Sequence, residues 1–227
     1  MREIVHVKPF ISVFFDLDGT LCDPREGIVR CLKYALDQLG YPAPEDNYLV
    51  RYIGPPLHES FGTLLESSDA QLISRAVELY RQRFASKGIF ENAVYGGLEA
   101  ALDALRRKDL RLHVVTSKPS VFATPIIEHI GLRKYFDRIY GSELDGTRAN
   151  KGALIAHVLA EERTPAASAI MVGDREHDVR GALANGVTPV GALWGYGSRE
   201  ELQRAGASLL CENPGMLVET LSSHRPC

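Results

Sequence analysis

An α/β fold with an open parallel sheet, and with a small all-helical domain inserted near its start, is what this sequence predicts. Three observations carry that expectation. Short apolar runs rich in β-branched and aromatic residues recur at 11–15, 112–116, 169–172 and 187–192, with a weaker one at 138–140. Helical patterns lie between them, at 97–108, 120–130, 151–162 and 177–185. The stretch 24–94 breaks the alternation and holds helical patterns without a convincing strand.

Each element follows from its own pattern. The first run ends abruptly at Asp16, as a strand buried on both faces does when it meets the sheet edge. Strands alternating with helices of this length imply right-handed βαβ crossovers and a parallel sheet. In the interrupting stretch, helical patterns at 27–39, 58–65 and 69–86 are punctuated by Pro42, Pro44, Pro55 and Pro56. The expected division is therefore a core of 1–22 and 95–227 and an insert of 23–94. Leu21 to Asp23 form the exit hinge, and Tyr95-Gly96-Gly97 the return.

The bulk numbers limit what such a chain does. Its 227 residues are 45% hydrophobic and 24% charged, a globular balance with room for one core and a small insert. A net charge of −3 and a pI near 6.2 leave no electrostatic footprint for nucleic acid. The basic cluster Arg106-Arg107-Lys108 ends a predicted helix, where it suits the helix dipole. No apolar run reaches the roughly eighteen residues of a membrane span. The first six residues include an acid and a histidine where a signal peptide needs an apolar stretch, so a cytoplasmic location is expected. Cys22, Cys31, Cys211 and Cys227 show no CxxC pairing and read as scattered free thiols.

Ligands of open parallel sheets bind outside the carboxyl ends of the strands. Polar residues gather there: Asp16-Leu17-Asp18-Gly19-Thr20 after the first strand, Thr116-Ser117-Lys118 after the second, and Gly173-Asp174 after the fourth. Asp178 follows on the next helix, and Lys151 opens the helix before the fourth strand. Converging carboxylates repel unless a cation sits among them, and an all-oxygen set favours magnesium over zinc. Such a site admits a phosphate dianion beside Lys151. Asp16 is then placed to attack phosphorus in line, while Asp18 protonates the leaving oxygen and later deprotonates water. Gly19 lets the chain turn, and Thr20 with nearby amides is expected to bind phosphate oxygens. Ser117 and Lys118 are further candidates for substrate contact.

In order along the chain, FFDLDGTLCD, VVTSKP, Lys151 and MVGDREHDVRGA resemble the four motifs of the haloacid dehalogenase-like superfamily of hydrolases. The resemblance spans nearly the whole chain. It implies a Rossmann-like core, with Asp16 as nucleophile, Asp18 as general acid/base, Thr116 as a phosphate-binding hydroxyl and Lys151 pairing nucleophile and phosphate. It also implies a Mg2+ site of Asp16, the Asp18 backbone carbonyl and Asp174, with Asp178 in or near the metal shell. The insert resembles the small cap of the phosphoglycolate phosphatase and bacterial 5′-nucleotidase-like branch.

Within that family, dehalogenases and phosphonatases lack the second aspartate, which is present here as Asp18. The spacing Asp174 to Asp178 resembles the phosphatases, whereas sugar phosphomutases show paired acids at this point. Lysine-proline is frequent in phosphoglycolate phosphatases, but Lys151 precedes Gly152. The expected substrate is thus a small phosphorylated metabolite, a nucleoside monophosphate ahead of phosphoglycolate, with sugar phosphomutase as the further alternative. In the insert, Ile53-Gly54-Pro55-Pro56-Leu57 forms a stiff segment in which Gly54 allows close backbone approach to substrate. Arg25, Arg51, His58 and Lys87 are candidate cap contacts to a substrate anion or base, with ordinary exposed surface the favoured reading for each. Trp194 reads as core rim, Tyr196 as a candidate to stack on a base, and Arg175 as a partner for a nearby carboxylate. His177 is expected to stay out of the metal shell. A monomer or a homodimer is expected, with no nucleic-acid or membrane partner.

Overall fold

The computed structural model describes residues 10–223. The expectations resting on residues 1–6 and on Cys227 lie outside the described residues. The chain divides into two compact units, one of 10–22 and 94–223, the other Asp23–Ala93.

In chain order, β1 (Ser12–Phe15) and β2 (Cys22–Asp23) precede four helices of the second unit: α1 (Arg25–Gln38), α2 (Asp46–Leu49), α3 (Leu57–Leu64) and α4 (Ala70–Ser86). There follow β3 (Ala93–Val94), α5 (Leu98–Arg106), β4 (Arg111–Pro119), α6 (Ser120–His129), β5 (Arg138–Ser142) and α7 (Lys151–Glu161). The remainder is β6 (Ala169–Gly173), α8 (Glu176–Ala184), β7 (Thr188–Ala192), α9 (Arg199–Ala205), β8 (Leu209–Cys211) and α10 (Leu217–Ser223).

The main sheet has the order β5-β4-β1-β6-β7-β8 with parallel neighbours throughout. Every residue of β1 and β6 is buried, which is why these strands read as unbroken apolar runs. Phe15 pairs in register with Val114 on one side and Val172 on the other. From β1 the chain steps toward β5, and from β6 it steps toward β8. The order therefore reverses between β1 and β6, which is where an open α/β sheet receives its ligand. Phe14 packs with Leu154, Ile155 and Val158 of α7, Ala182 of α8 and Met171 of β6. This core fixes α7 and α8 against the sheet, and burial of Phe14 contributes about 2–3 kcal/mol.

Two helices near the end of the described residues go beyond the sequence expectation. α9 and α10 flank β8 at the sheet edge. β4 runs three residues past Thr116, and its register with β5 shifts between Val115 and Pro119. Gly141 makes room for that extension, since a Cβ there would lie 2.5 Å from the Lys118 carbonyl oxygen.

In the helical unit, α1 buries Ile28, Cys31, Leu32, Ala35 and Leu36 along one stripe, and α4 buries Ala76, Val77, Leu79, Tyr80 and Phe84. α1 begins two residues earlier than its apolar pattern, and the Asp23 carboxylate accepts the Arg25 N–H, one of the unpaired donors of its first turn, at 2.8 Å. The Asp69 side chain caps α4 through the N–H groups of Gln71 and Leu72. Glu91 accepts two hydrogen bonds from Arg83 and one from Arg30, tying the end of this unit to α4 and α1. Cys22, Cys31 and Cys211 are buried. Among the described residues, no helix is long and apolar enough to cross a membrane.

Candidate active site

The site is built where β1 and β6 end. Asp16 follows β1, and its N–H donates to the Val172 carbonyl of β6 at 3.0 Å, so the two strand ends are locked side by side. The chain then winds tightly: the Leu17 carbonyl accepts from Leu21 N at 2.9 Å, and Gly19 N donates to the Cys22 carbonyl at 2.9 Å. Gly19 has φ 82°, a conformation that favours glycine. A Cβ on it would lie 2.2 Å from an Asp174 carboxylate oxygen.

Lys151 begins α7, whose N-cap Asn150 accepts the Ala153 N–H at 3.0 Å. The lysine is buried and carries its ammonium inward. Nζ donates to Asp16 Oδ1 at 2.8 Å and to the Val115 carbonyl at 2.9 Å. It also meets Asp178 Oδ1 at 2.9 Å, as an ion pair outside hydrogen-bond geometry. Asp178 lies in the first turn of α8, where its other oxygen accepts the Arg175 N–H at 3.2 Å. Asp174 is fully buried and takes neutral donors, Thr20 Oγ1 at 3.2 Å and Tyr196 N at 2.8 Å. Asp16, Asp174 and Asp178 each offer an oxygen within 4.8 Å of the others.

Crowding of buried charge shows in the protonation equilibria. Burial, then Asp16 and Asp178, push the Asp174 carboxyl up to about 8. Burial raises Asp178 to about 6 against the opposing pull of Lys151. Burial alone would lower Lys151, but Asp16 and Asp178 overcome it and hold the ammonium above its ordinary value. One lysine is thus shared between Asp16 and Asp178, and Asp174 has no share in it. An all-oxygen set with surplus negative charge fits a hard divalent cation.

Asp18 stands beside this group. Its two oxygens meet Lys118 Nζ at 2.8 and 2.7 Å. Burial raises its carboxyl above the ordinary value, with Lys118 opposing. Lys118 therefore contacts the acid/base candidate, a pairing the sequence did not indicate. The Thr20 hydroxyl is directed to Asp174. Thr116 is buried and its Oγ1 accepts the Lys118 N–H at 3.2 Å. Ser117 is exposed, and its carbonyl accepts from Ser142 Oγ.

Gly54 lies in the helical unit, exposed and at φ 107°. Arg25, Arg51, His58 and Lys87 are exposed, with Arg51 stacked 3.9 Å from the Tyr48 ring centroid. His177 is exposed and outside the acidic group. Arg175 pairs with Glu201 at 2.9 Å.

Residues 13–192 match the family model described as haloacid dehalogenase-like hydrolase. The chain belongs to the haloacid dehalogenase-like hydrolase family. It is a phosphoric monoester hydrolase of that family. A 5′-nucleotidase from Pseudomonas aeruginosa is 43% identical over 94% of this hydrolase and 96% of that protein. A protein named tyrosine-protein kinase PtkA, from Mycobacterium tuberculosis, is 36% identical over 87% of this chain and 67% of its own. Among solved structures, a predicted phosphatase from Clostridium acetobutylicum superposes with a TM-score of 0.89 at 40% identity, covering 96% of this hydrolase and 100% of that chain.

The loop after β7 supplies site residues that sequence reasoning missed in this role. Trp194 Nε1 donates to the Thr20 carbonyl at 2.9 Å, and Tyr196 contributes its backbone N–H to Asp174. Their trace in the sequence is the glycine pair around Tyr196. A Cβ on Gly195 would lie 2.3 Å from Asp174 Cβ, and one on Gly197 would lie 1.9 Å from the Asp174 carbonyl oxygen.

Proposed function

We infer that this hydrolase is a Mg2+-dependent phosphatase of small metabolites, most simply nucleoside monophosphates, working through an aspartyl-phosphate on Asp16. The observation that carries the reading is Lys151 joining Asp16 to Asp178 beside Asp174, at the reversal point of the sheet.

Asp16 attacks phosphorus, its Oδ–P bond forms, and the P–O bond to the leaving group breaks in line. Lys151 holds one Asp16 oxygen and thereby presents the other. Asp18 delivers a proton to the departing oxygen and then takes one from the water that hydrolyses the acyl phosphate. Inorganic phosphate leaves and the Asp16 carboxylate is restored. Mg2+ held by Asp16, the Asp18 carbonyl and Asp174, with Asp178 close to its shell, would offset the charge of carboxylates and phosphate. Thr116 and Ser117 with their backbone are assigned to the phosphoryl oxygens. The helical unit, Gly54 included, is assigned the part of a cap that selects the leaving group.

The 5′-nucleotidase name of the Pseudomonas aeruginosa relative supports the substrate class, and phosphoglycolate remains the alternative. A second reading, transfer to an acceptor other than water, draws on the kinase-named relative and extends to sugar phosphomutase chemistry. The test is phosphate release from nucleoside 5′- and 3′-monophosphates, phosphoglycolate, hexose phosphates and p-nitrophenyl phosphate, with and without Mg2+. Mg2+-dependent release that prefers nucleotides, and is abolished in Asp16→Asn, is the expected result. Conserved phosphate with a phosphorylated acceptor would establish the transferase reading. Undiminished turnover by Asp16→Asn would remove the nucleophile.

A further inference from the structure

Two loops together confine Asp174, which is fully buried. From one side comes the turn after β1. Thr20 Oγ1 donates to Asp174 Oδ1 at 3.2 Å, and Gly19 passes so close that a Cβ would lie 2.2 Å from Oδ2. From the other side comes the loop after β7. Tyr196 N donates to Oδ2 at 2.8 Å, and Gly195 and Gly197 press against the residue with no space for a Cβ. One further bond closes the ring between the loops: the indole N–H of Trp194 donates to the Thr20 carbonyl at 2.9 Å. Trp194 is the single tryptophan of the chain and touches neither Asp16 nor Asp18 through this bond.

We propose that Trp194 and Thr20 are positioning residues for the Asp174 carboxylate, and that their tie sets the affinity of the site for its divalent cation. The inference rests on the reading of Asp174 as a metal ligand. It assigns the Thr20 hydroxyl to the ligand carboxylate and not to phosphate. The physical ground is geometric. Both Asp174 oxygens are already oriented by donors, so the lone pairs left for a cation point in fixed directions. Each donor depends on the loop that carries it. Without the indole bond the turn after β1 can drift by tenths of an ångström, and Thr20 and Gly19 drift with it against Asp174. Groups that orient a ligand in this way typically change metal affinity by 10–100-fold when lost.

Titration calorimetry of Mg2+ into the metal-free full chain tests this. The variants are Thr20→Val, which keeps shape and loses the hydroxyl, and Trp194→Phe, which keeps an aromatic ring and loses the donor. Thermal unfolding of each metal-free variant is recorded in parallel. The expected result is a Kd raised roughly tenfold or more in each folded variant. In the double variant the loss falls short of the product of the single losses, because both act on one carboxylate. A purely structural role would lower the unfolding temperature and leave Kd within about twofold in a folded variant. That outcome, in either variant, overturns the proposal while the phosphatase reading stands. Absence of Mg2+ binding by the unsubstituted chain overturns both together. Thr20→Val decides alone should Trp194→Phe not fold.

Discussion

At the scale of single residues, the molecule contrasts two buried ionisable groups. Lys151 is buried with partners that justify its charge, whereas His113 is buried with both ring nitrogens lacking a hydrogen-bond partner among the described residues. His113 sits on β4 edge-on to Phe14 and near the Tyr140 ring, with Glu162 Oε1 3.9 Å from Nδ1. Burial holds its pKa below the ordinary histidine value. Glu162 and Asp137 pull the other way, and Arg111 and Arg138 add to the lowering. The unfolded chain therefore takes up a proton before the folded one as pH falls. Stability tied to this residue is complete above pH about 6.5 and drains below it, by at most about 1.4 kcal/mol per pH unit until the folded pKa is reached. His113→Leu should flatten that slope. Urea midpoints measured at pH 7.5 and 5.0 should fall further apart in the unsubstituted protein than in the variant, and equal pH dependence would refute the assignment.

At the scale of elements, packing decides between two glycines that sequence alone treats alike. Gly27 in α1 and Gly62 in α3 are both helical, and alanine is the better helix former by roughly 1 kcal/mol. A Cβ at Gly27 would lie 2.5 Å from the Gly88 carbonyl oxygen and 3.1 Å from that of Glu91, backbone atoms that cannot yield cheaply. At Gly62 the nearest atoms would be 3.5 and 3.6 Å away, ordinary contacts. Gly27→Ala should thus destabilise the helical unit by about 1–3 kcal/mol, and Gly62→Ala should stabilise it by about 0.4–1 kcal/mol. Thermal unfolding that ranks them in the reverse order would sink the packing argument. The same distinction explains what the sequence made legible. β1 and β6 announced themselves because burial on both faces leaves an apolar run that stops at Asp16 or Gly173-Asp174. Lys151 and the acids were visible as charges at strand and helix ends. Short α9 and α10 carry too few turns for a period to show. The Tyr196 N–H and the carbonyl that receives Trp194 are backbone groups, which any residue type supplies. The Lys118–Asp18 pair joins residues a hundred positions apart, and no local pattern encodes that meeting.

At the scale of the whole molecule, the chain order has a consequence for how stability is shared. The sheet unit is assembled from two separated stretches, 10–22 and 94–223, while Asp23–Ala93 is continuous and has its own core of α1 and α4 side chains. The ligand oxygens Asp16, Asp174 and Asp178 all belong to the sheet unit. A cation bound there stabilises only states in which that unit is folded, by RT ln(1 + [L]/Kd), or about 2.7 kcal/mol at a hundred times Kd. Amide hydrogen exchange reads the two units separately. On adding Mg2+ to that level, the slowest amides of β1 and β6 should slow by roughly 100-fold, while those of α1 and α4 keep their rates. The helical unit can keep its rates only if it opens without the sheet unit opening. Equal slowing in both units would mean that they unfold as one and that the insert has no stability of its own. No slowing in either would mean that the acids hold no cation, and the metal-dependent reading of the site would fall with it.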